Sequence, residues 1–179
     1  MYCSTTYPSP IGTCTLACDG KNIVGLWLAE QKYFGAGMPE EMTERNDIPI
    51  FNAAKKWLDR YFSGKMPAIS ELPLAPIGSA FRQSVWNILR EIPYGKFMTY
   101  GGIAKKIAAA AGRENMSSQA VGGAVGHNPI SIIIPCHRVI GSNGNLTGYA
   151  GGIKAKIKLL ELENADLSGL FAPKKGTAL

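Results

Sequence analysis

The sequence predicts an α+β N-terminal domain, made of a small β-sheet plus a helix, followed by a mainly α C-terminal domain with a helix-turn-helix. Three observations lead to this fold class. β-compatible runs lie near the start, apolar residues recur at helical spacing afterwards, and a stretch rich in proline and glycine over residues 71–80 separates the two patterns. A chain of 179 residues suits one or two domains. We place the domains at residues 1–75 and 79–170.

The N-terminal elements follow from local signals. Residues 13–18 and 22–28 are β-compatible runs on either side of Asp19-Gly20, a tight-turn signal, so they predict a hairpin. Residues 31–47 are polar and contain glycine and proline, which predicts a loop. Helical spacing then begins at Ile50, with Pro49 suited to the first helical position and Gly64 to the end.

The C-terminal elements are predicted to be helices. An apolar stripe predicts one helix that Ser79 caps and Pro93 stops. Thr99 can cap the next helix, which would end at Gly112. A final helix is expected over residues 153–163, where apolar residues share one face.

A pair of short helices lies between these elements. Ser117 or Ser118 can cap the segment QAVGGAVG, and only a short polar link separates it from the preceding helix. This pattern favours a helix-turn-helix. The alternative is an ordinary helical hairpin, in which Gly122, Gly123 and Ala124 only allow close packing. Both interpretations stay open on this segment alone.

The net charge of +6 is unevenly distributed. Residues 1–78 hold seven Lys or Arg and eight Asp or Glu, a net charge of −1, whereas residues 79–179 hold twelve and five, a net charge of +7. A basic C-terminal half is typical of contact with a polyanion. A solvated basic face without a partner has the same composition, so charge alone leaves both open.

Composition excludes several classes of protein. Hydrophobic residues make up 46% and charged residues 18%, which argues against a disordered chain. No apolar run approaches the roughly 18 residues of a membrane span. The first residues lack a secretion signal, so we expect a cytoplasmic protein whose four cysteines are thiols. No metal site is expected, because the N-terminal cysteines, Cys3, Cys14 and Cys18, have neither a companion histidine nor zinc spacing.

The chemistry is concentrated where a buried apolar run, residues 130–134, leads into Pro135 and Cys136. A cysteine reacts as its thiolate, and the neighbouring His137 can remove the proton directly or through water. Glu163, at the edge of the last apolar stripe, is the best-placed carboxylate to orient the imidazole. Adjacent residues of an extended chain point to opposite sides, so His137 can reach Cys136 only if the chain turns there or a water bridges the two side chains. The alternative is a structural cysteine beside a satisfied histidine.

A wider set of motifs identifies a family. The segment Ile134-Pro-Cys-His-Arg-Val139 resembles the active-site signature of the O6-alkylguanine-DNA alkyltransferases, or methylated-DNA–protein-cysteine methyltransferases. Other motifs occur in the family's order and spacing and cover most of residues 79–163: Ala120-Val-Gly-Gly-Ala124, Asn128-Pro129, Gly148-Tyr-Ala-Gly-Gly152 and the distal Glu163. The N-terminal Ser9-Pro-Ile-Gly12 also fits, though less specifically.

The resemblance implies DNA repair by irreversible, single-turnover transfer of the alkyl group of O6-alkylguanine, and of O4-alkylthymine, to Cys136. His137 would act as the general base through a bound water, with Glu163 behind it. No cofactor would be needed, because the alkyl group comes from the damaged base. The partner would be double-stranded DNA with O6-alkylguanine lesions. The protein would be a monomer without a membrane partner.

The resemblance also assigns the residues around the base. Asn128 would hydrogen-bond across the turn before Cys136, and an ordinary Asn-Pro turn remains compatible with that role. Tyr100 would lie over the flipped base and donate toward its ring nitrogen. The backbone carbonyls of Cys136 and Val139 would accept from the guanine amino group. The loop that closes the pocket would consist of Tyr149, Ala150 and Gly151.

The DNA contacts implied by the resemblance lie on the second helix of the pair, which the family places in the minor groove. They are Ser117, Ser118, Gln119, Ala120 and Gly122. Many members have an arginine at the position of Gln119 that intrudes into the base stack. Glutamine brings no charge there. We therefore expect base flipping to survive and DNA binding to be weaker.

Three other functions compete with this one. A lesion-binding relative without transfer activity would lack the acceptor cysteine, and Cys136 is present. A helix-turn-helix regulator would carry base-reading side chains, in which QAVGGAVG is poor. A cysteine hydrolase using Cys136 and His137 would turn over, whereas an alkyltransferase would be consumed.

Overall fold

A four-stranded sheet forms the N-terminal part of the computed structural model, which describes residues 1–39 and 41–173. Its strands lie in the order β3-β2-β1-β4. Strand β2 is antiparallel to both β1 and β3, and β4 is parallel to β1. Their bounds are β1 (Cys3–Ser9), β2 (Gly12–Cys18), β3 (Ile23–Leu28) and β4 (Thr43–Glu44). The hairpin predicted over residues 13–18 and 22–28 is confirmed as β2 and β3. The loop predicted over residues 31–47 is mostly confirmed, with β4 inside it.

Strand β1 was not predicted, and Pro8 within it argues against a strand. Pro8 is tolerated because β4 pairs only with Cys3 and Ser4, which leaves the sheet edge beside Pro8 open. The missing N–H therefore leaves no ladder hydrogen bond unmade. The register of β1 and β2 pairs Ser9 with Gly12 across a two-residue turn.

Helix α1 (Pro49–Phe62) packs against the sheet with the apolar face that the sequence predicts. Pro49 is its first residue, and Gly64 lies just beyond its end with a φ of +79°. The buried face ends in Tyr61, which points toward the C-terminal part of the chain. After α1, residues 73–75 pass the beginning of β3, where the Ile23 N–H donates to Pro73 O and the Ala75 N–H donates to Ile23 O.

Four helices make up most of the C-terminal part: α2 (Ala80–Arg90), α3 (Tyr100–Ala110), α4 (Ser118–Gly126) and α5 (Ile153–Leu162). Three begin directly after a predicted cap, because the hydroxyls of Ser79, Thr99 and Ser117 each accept from the backbone N–H three residues on. Two short strands, β5 (Met98–Thr99) and β6 (Val139–Ile140), pair in parallel.

Helices α3 and α4 pack against each other and against α2, as a helix-turn-helix requires. The indole N–H of Trp86 on α2 donates to the carbonyl of Ala124 on α4 at 2.9 Å, which fixes the pair. A Cβ added at Gly123 would meet no atom within 4 Å, so close packing does not demand that glycine. The predicted fold class is confirmed.

The segment before the cysteine joins the two parts. Residues 130–134 are buried, as predicted, but they form turns, with Ile132 in the left-handed region at a φ of +69°. The Leu26 N–H donates to Pro129 O, and the Ser131 N–H donates to Leu26 O, both at 2.8 Å. One cluster of buried apolar side chains draws on both parts of the chain. The domain bounds of 1–75 and 79–170 stay a prediction.

Within residues 1–39 and 41–173, no helix has both the length and the apolar character needed to cross a membrane.

Candidate active site

Cys136 opens a short 3₁₀ turn, Cys136–Arg138. Pro135 precedes it with a ψ of 64°, and the Arg138 N–H donates back to Pro135 O at 3.0 Å. The backbone therefore turns at the cysteine, which is one of the two ways in which neighbouring Cys136 and His137 side chains can serve the same site. Both side chains are buried, and Cys136 is only 4% exposed.

The side chain of Asn128 spans the turn that ends at Cys136. Its Nδ2 donates to Cys136 Sγ at 3.0 Å and to Ile134 O at 2.8 Å. Its Oδ1 accepts from the Ile130 N–H at 3.1 Å. One carboxamide thus fixes both the backbone of the turn and the sulfur. Asn128 therefore bonds across the turn before Cys136, the same bonds also make it a turn residue, and its role in the chemistry stays a prediction.

Burial raises the pKa of the Cys136 thiol above its usual value. The hydrogen bond from Asn128 and the charge of Lys156 act in the opposite direction without cancelling the effect. The sulfur therefore carries its proton at neutral pH. Any nucleophilic reaction at Cys136 needs a base to remove that proton.

His137 and Glu163 form a buried pair, with Nε2 2.7 Å from Oε1. Glu163 is the C-cap residue directly after α5, and its side chain faces inward rather than reaching solvent. An ionised carboxylate only accepts hydrogen bonds, so the shared proton lies on Nε2 and Nδ1 carries the lone pair. Nδ1 is buried and has no hydrogen-bond partner among the described residues. Burial lowers the pKa of His137, which favours the neutral ring.

Glu163 is the centre of a larger network. Besides His137, its carboxylate accepts from the Tyr61 hydroxyl at 2.7 Å, the Gly95 N–H at 3.0 Å, and Nε and Nη2 of Arg138 at 2.9 Å each. Burial alone would raise the pKa of Glu163, but the hydrogen bonds from His137 and Arg138 and the charge of Arg138 outweigh it and hold that pKa well below its usual range. The carboxylate therefore stays ionised.

The sequence analysis did not single out Lys156, a fully buried residue of α5. Its Nζ donates to Val139 O at 2.5 Å and to Thr147 O at 3.3 Å. Burial lowers the pKa of Lys156 to about 8. A signal was present, because this lysine lies three residues after Ile153 and four before Leu160, on the apolar face of the helix.

Three residues implied to form the base pocket belong to, or pack against, the large apolar cluster that contains Cys136. Val139 and Tyr149 are buried in the same apolar cluster as Cys136, and Tyr100 packs against that cluster. The Tyr100 hydroxyl donates to the carbonyls of Thr147 at 3.1 Å and Gly148 at 3.3 Å, so it holds the predicted loop.

The remaining residues of that loop contact other segments. Ala150 O accepts from the Lys32 N–H at 3.1 Å, which ties the loop to the N-terminal part. Gly151 must stay small, because a Cβ there would lie 2.7 Å from the ring of Tyr149. These contacts fix the loop from both sides.

The residues implied to contact DNA lie at the beginning of α4. Ser117, Ser118, Gln119 and Ala120 are exposed. Gly122 is buried, so of the five it is the one that does not lie on the surface. The first turn of α4 is therefore at the surface, whereas Cys136 is buried. A group that binds on α4 has to extend into the interior to reach the sulfur.

Within the described ranges, no group of three or more His, Cys, Asp or Glu side chains is arranged to hold a metal ion. Cys3, Cys14 and Cys18 are buried free thiols of the sheet.

Comparison with known proteins extends these observations. Two family models match in succession. The ribonuclease-like domain of 6-O-methylguanine DNA methyltransferase matches residues 1–76, and the DNA binding domain of the same family matches residues 80–165. The chain belongs to the 6-O-methylguanine DNA methyltransferase family. The family suggested by the cysteine motif is therefore confirmed.

Relatives within the 6-O-methylguanine DNA methyltransferase family are similar over most of the chain. A methylated-DNA–protein-cysteine methyltransferase of Haemophilus influenzae is 43% identical over 159 residues, which are 89% of this chain and 84% of the relative. One of Methanosarcina acetivorans is 44% identical over 161 residues, 89% and 96% of the two chains. The crystal structure of the Mycobacterium tuberculosis O6-methylguanine methyltransferase is 42% identical, with a TM-score of 0.78 over 98% of this chain and 97% of that one. A structure of the M. tuberculosis protein in complex with DNA is 41% identical, also with a TM-score of 0.78, over 95% and 98% of the chains.

Proposed function

We propose that this protein repairs DNA by moving the alkyl group of O6-alkylguanine, and of O4-alkylthymine, irreversibly to Cys136. The observation that carries the proposal is the buried thiol itself, which is hydrogen-bonded by Asn128 and lies next to a His137–Glu163 pair. This arrangement supplies the nucleophile, the base and the group that orients the base.

The proposed reaction is a direct displacement. His137 Nδ1 takes the thiol proton through a bound water, and the sulfur attacks the alkyl carbon. A carbon–sulfur bond forms, the bond from carbon to the base oxygen breaks, and the electron pair stays on the base. Tyr100, whose pKa is raised by burial, keeps its proton and can hydrogen-bond to the ring nitrogen of the departing guanine. The thioether is stable, so each molecule acts once and needs no cofactor.

The pocket would recognise the extruded base through backbone groups. The carbonyls of Cys136 and Val139 would accept from the guanine amino group, while Lys156 uses only one lone pair of Val139 O. The loop of Tyr149, Ala150 and Gly151 would close over the base. A duplex base cannot be attacked in its stack, so extrusion costs a few kcal/mol before the chemistry starts.

The proposed partner is double-stranded DNA with O6-alkylguanine lesions, contacted in the minor groove by the beginning of α4. The minor groove carries little sequence information, which suits damage that occurs anywhere. We also propose a monomer in the cytoplasm. The four buried free thiols of the described residues support a reducing compartment.

Gln119→Arg should strengthen DNA binding, because it adds a cation to the exposed first turn of α4. We expect the affinity for duplex DNA at low salt to rise at least about threefold, and the plot of log affinity against log salt to steepen by about one unit. Fluorescence anisotropy over a salt series measures both. The control is Asn52→Arg, which adds the same charge on the exposed face of α1. Equal gains for the two variants would contradict a specific DNA contact at Gln119.

The stoichiometry of repair tests the proposed function. With duplex oligonucleotide containing O6-methylguanine in excess, we expect the repaired guanine to stop at one equivalent per protein molecule. Quantitative nucleoside analysis of the oligonucleotide measures it. A cysteine hydrolase would continue beyond one equivalent, and a lesion-binding protein would repair none. Either result would refute the proposal.

A further inference from the structure

Helix α1 brings one polar side chain to the candidate active site from the N-terminal part of the chain. Tyr61 is buried, and its hydroxyl lies 2.7 Å from Glu163 Oε1 and 3.4 Å from His137 Nε2. Its sequence position gives no indication of this role, because it completes the apolar stripe of α1. The position of the hydroxyl bears directly on the protonation of His137.

The direction of the Tyr61 hydrogen bond follows from the donors present. The proton between His137 and Glu163 lies on Nε2, so Nε2 has no lone pair to accept from the phenol. The Tyr61 hydroxyl therefore donates to Glu163 Oε1. The same oxygen also accepts from Arg138 Nη2 at 2.9 Å. Oε1 thus divides its accepting capacity among three donors.

The charges around His137 also favour a neutral ring. Glu163 is the carboxylate that faces the imidazole, and the Arg138 guanidinium forms two hydrogen bonds with it. Two cations, Arg138 and Lys156, act against a third positive charge at this position. Besides the adjacent Cys136, the titratable and charged groups of the described residues that face His137 are Glu163, Arg138, Lys156, Tyr61 and Tyr149.

We propose that Tyr61 is a positioning residue that keeps His137, whose Nε2 carries the proton shared with Glu163, in its neutral form. Its hydroxyl donates a hydrogen bond to Glu163 Oε1 and so takes up part of the accepting capacity of that oxygen. The carboxylate therefore attracts the imidazole proton less strongly. Nδ1 is then free to accept the proton of Cys136. The inference rests on the proposed function in taking His137 as the base. It gives the N-terminal part of the chain a specific role in the chemistry.

Removing the Tyr61 hydroxyl should raise the titration midpoint of His137. In Tyr61→Phe, Oε1 accepts from His137 and Arg138 alone, so its hydrogen bond to Nε2–H strengthens. A stronger bond favours the imidazolium, and an imidazolium cannot accept the thiol proton. We expect the titration midpoint of His137 to rise by about 0.5 to 1 pH unit.

Nitrogen NMR of the imidazole rings measures this midpoint and the tautomer without any DNA. The chain has two histidines, and His127 serves as an internal reference because its Nδ1 bonds to Gly123 O, away from the pair. The matched control is Tyr94→Phe. Tyr94 is half-buried and its hydroxyl donates to Leu162 O at 3.1 Å, so Tyr94→Phe also removes one hydroxyl and its hydrogen bond but leaves the donors to the Glu163 carboxylate unchanged.

Methyl transfer gives the second readout. In Tyr61→Phe, the midpoint of the acid side of the pH–rate profile should shift to higher pH by the same amount as the His137 titration, about 0.5 to 1 unit. The rate on the alkaline plateau should stay within about threefold of wild type. In a Glu163→Gln background, Tyr61→Phe should no longer shift the His137 midpoint, because the carboxylate through which it acts is absent.

Two results would overturn the inference. One is an unchanged His137 midpoint in Tyr61→Phe, with melting lowered as in Tyr94→Phe, which would reduce Tyr61 to a structural residue. The other is an Nδ1–H tautomer in the wild-type protein, a measurement that does not depend on any variant folding. Failure of the wild type to accept a methyl group would instead refute the proposed function, and the ring titration would still decide the inference.

Discussion

Replacing Glu163 with Gln is expected to slow methyl transfer to Cys136 at least about 100-fold and to destabilise the protein by about 3 kcal/mol. Both effects have the same source. Glu163 is buried and is the carboxylate that pairs with His137 and Arg138. A neutral amide leaves the Arg138 guanidinium buried without a counter-charge. The NH2 group of that amide also points at hydrogen-bond donors that the carboxylate oxygen had accepted from.

The kinetic loss follows from the tautomer of His137. In Glu163→Gln, a neutral amide holds the proton on Nε2 less firmly than the ionised carboxylate does, so the tautomer with the proton on Nδ1 becomes populated. In that tautomer, Nδ1 cannot accept from the thiol. The pKa of the Cys136 thiol is raised by burial, so its reactivity depends strongly on this base.

The pH dependence of stability provides an independent signature of Glu163. Its pKa is lower in the folded state than in the unfolded chain, so its contribution is fully present above about pH 4.3 and is lost as the pH falls further. The stability difference between wild type and Glu163→Gln should therefore narrow below about pH 4. Urea denaturation at several pH values measures it.

The matched control is Glu161→Gln, an exposed residue two positions earlier on α5. It should change neither the transfer rate nor the acid dependence. If Glu163→Gln and Glu161→Gln behaved alike, the carboxylate would have no part in orienting His137.

Asn128→Ala is expected to have the second largest effect, a loss of about 2 to 4 kcal/mol in stability together with about tenfold slower methyl transfer. The carboxamide is buried and bonds to Ile130 N, Ile134 O and Cys136 Sγ. Truncation leaves the buried Ile130 N–H without its acceptor, whereas Ile134 O keeps its hydrogen bond from the Cys136 N–H. It also removes the donor to the sulfur, so the pKa of the thiol should rise further.

Thermal denaturation and single-turnover kinetics measure the two effects of Asn128→Ala. Asn143→Ala is the control, because Asn143 caps an exposed turn through a bond from the Asn145 N–H to its Oδ1 at 3.2 Å. We expect that variant to lie within about 0.5 kcal/mol of wild type. A transfer rate that stays at the wild-type value in Asn128→Ala would contradict a role for the amide at the sulfur.

Much of the fold could be predicted because its signals are local. Ser79, Thr99 and Ser117 cap helices at the predicted positions, since a hydroxyl reaches only the backbone three residues on. Strand β1 was missed because a proline within it is tolerated only at an open sheet edge, and openness depends on how far β4 extends. That extent is a tertiary property.

The same distinction applies to the site. The sequence predicts that Glu163 orients His137, because a carboxylate at the edge of an apolar stripe needs a partner. In the structure, Glu163 Oε1 lies 2.7 Å from His137 Nε2. Lys156 carried the same signal and was overlooked. Tyr61 could not be found, because it lies 102 residues from Glu163 and reads as an ordinary core residue until the two parts of the chain pack together.

The most direct test of the account is the site of alkylation. After incubation with excess duplex containing O6-methylguanine, intact mass and peptide mapping should show a gain of one methylene on the peptide that holds Cys136. The gain should stop at one equivalent and be absent in Cys136→Ala. A methylene on the peptide of Cys3, Cys14 or Cys18, or a modified Cys136→Ala, would contradict Cys136 as the acceptor.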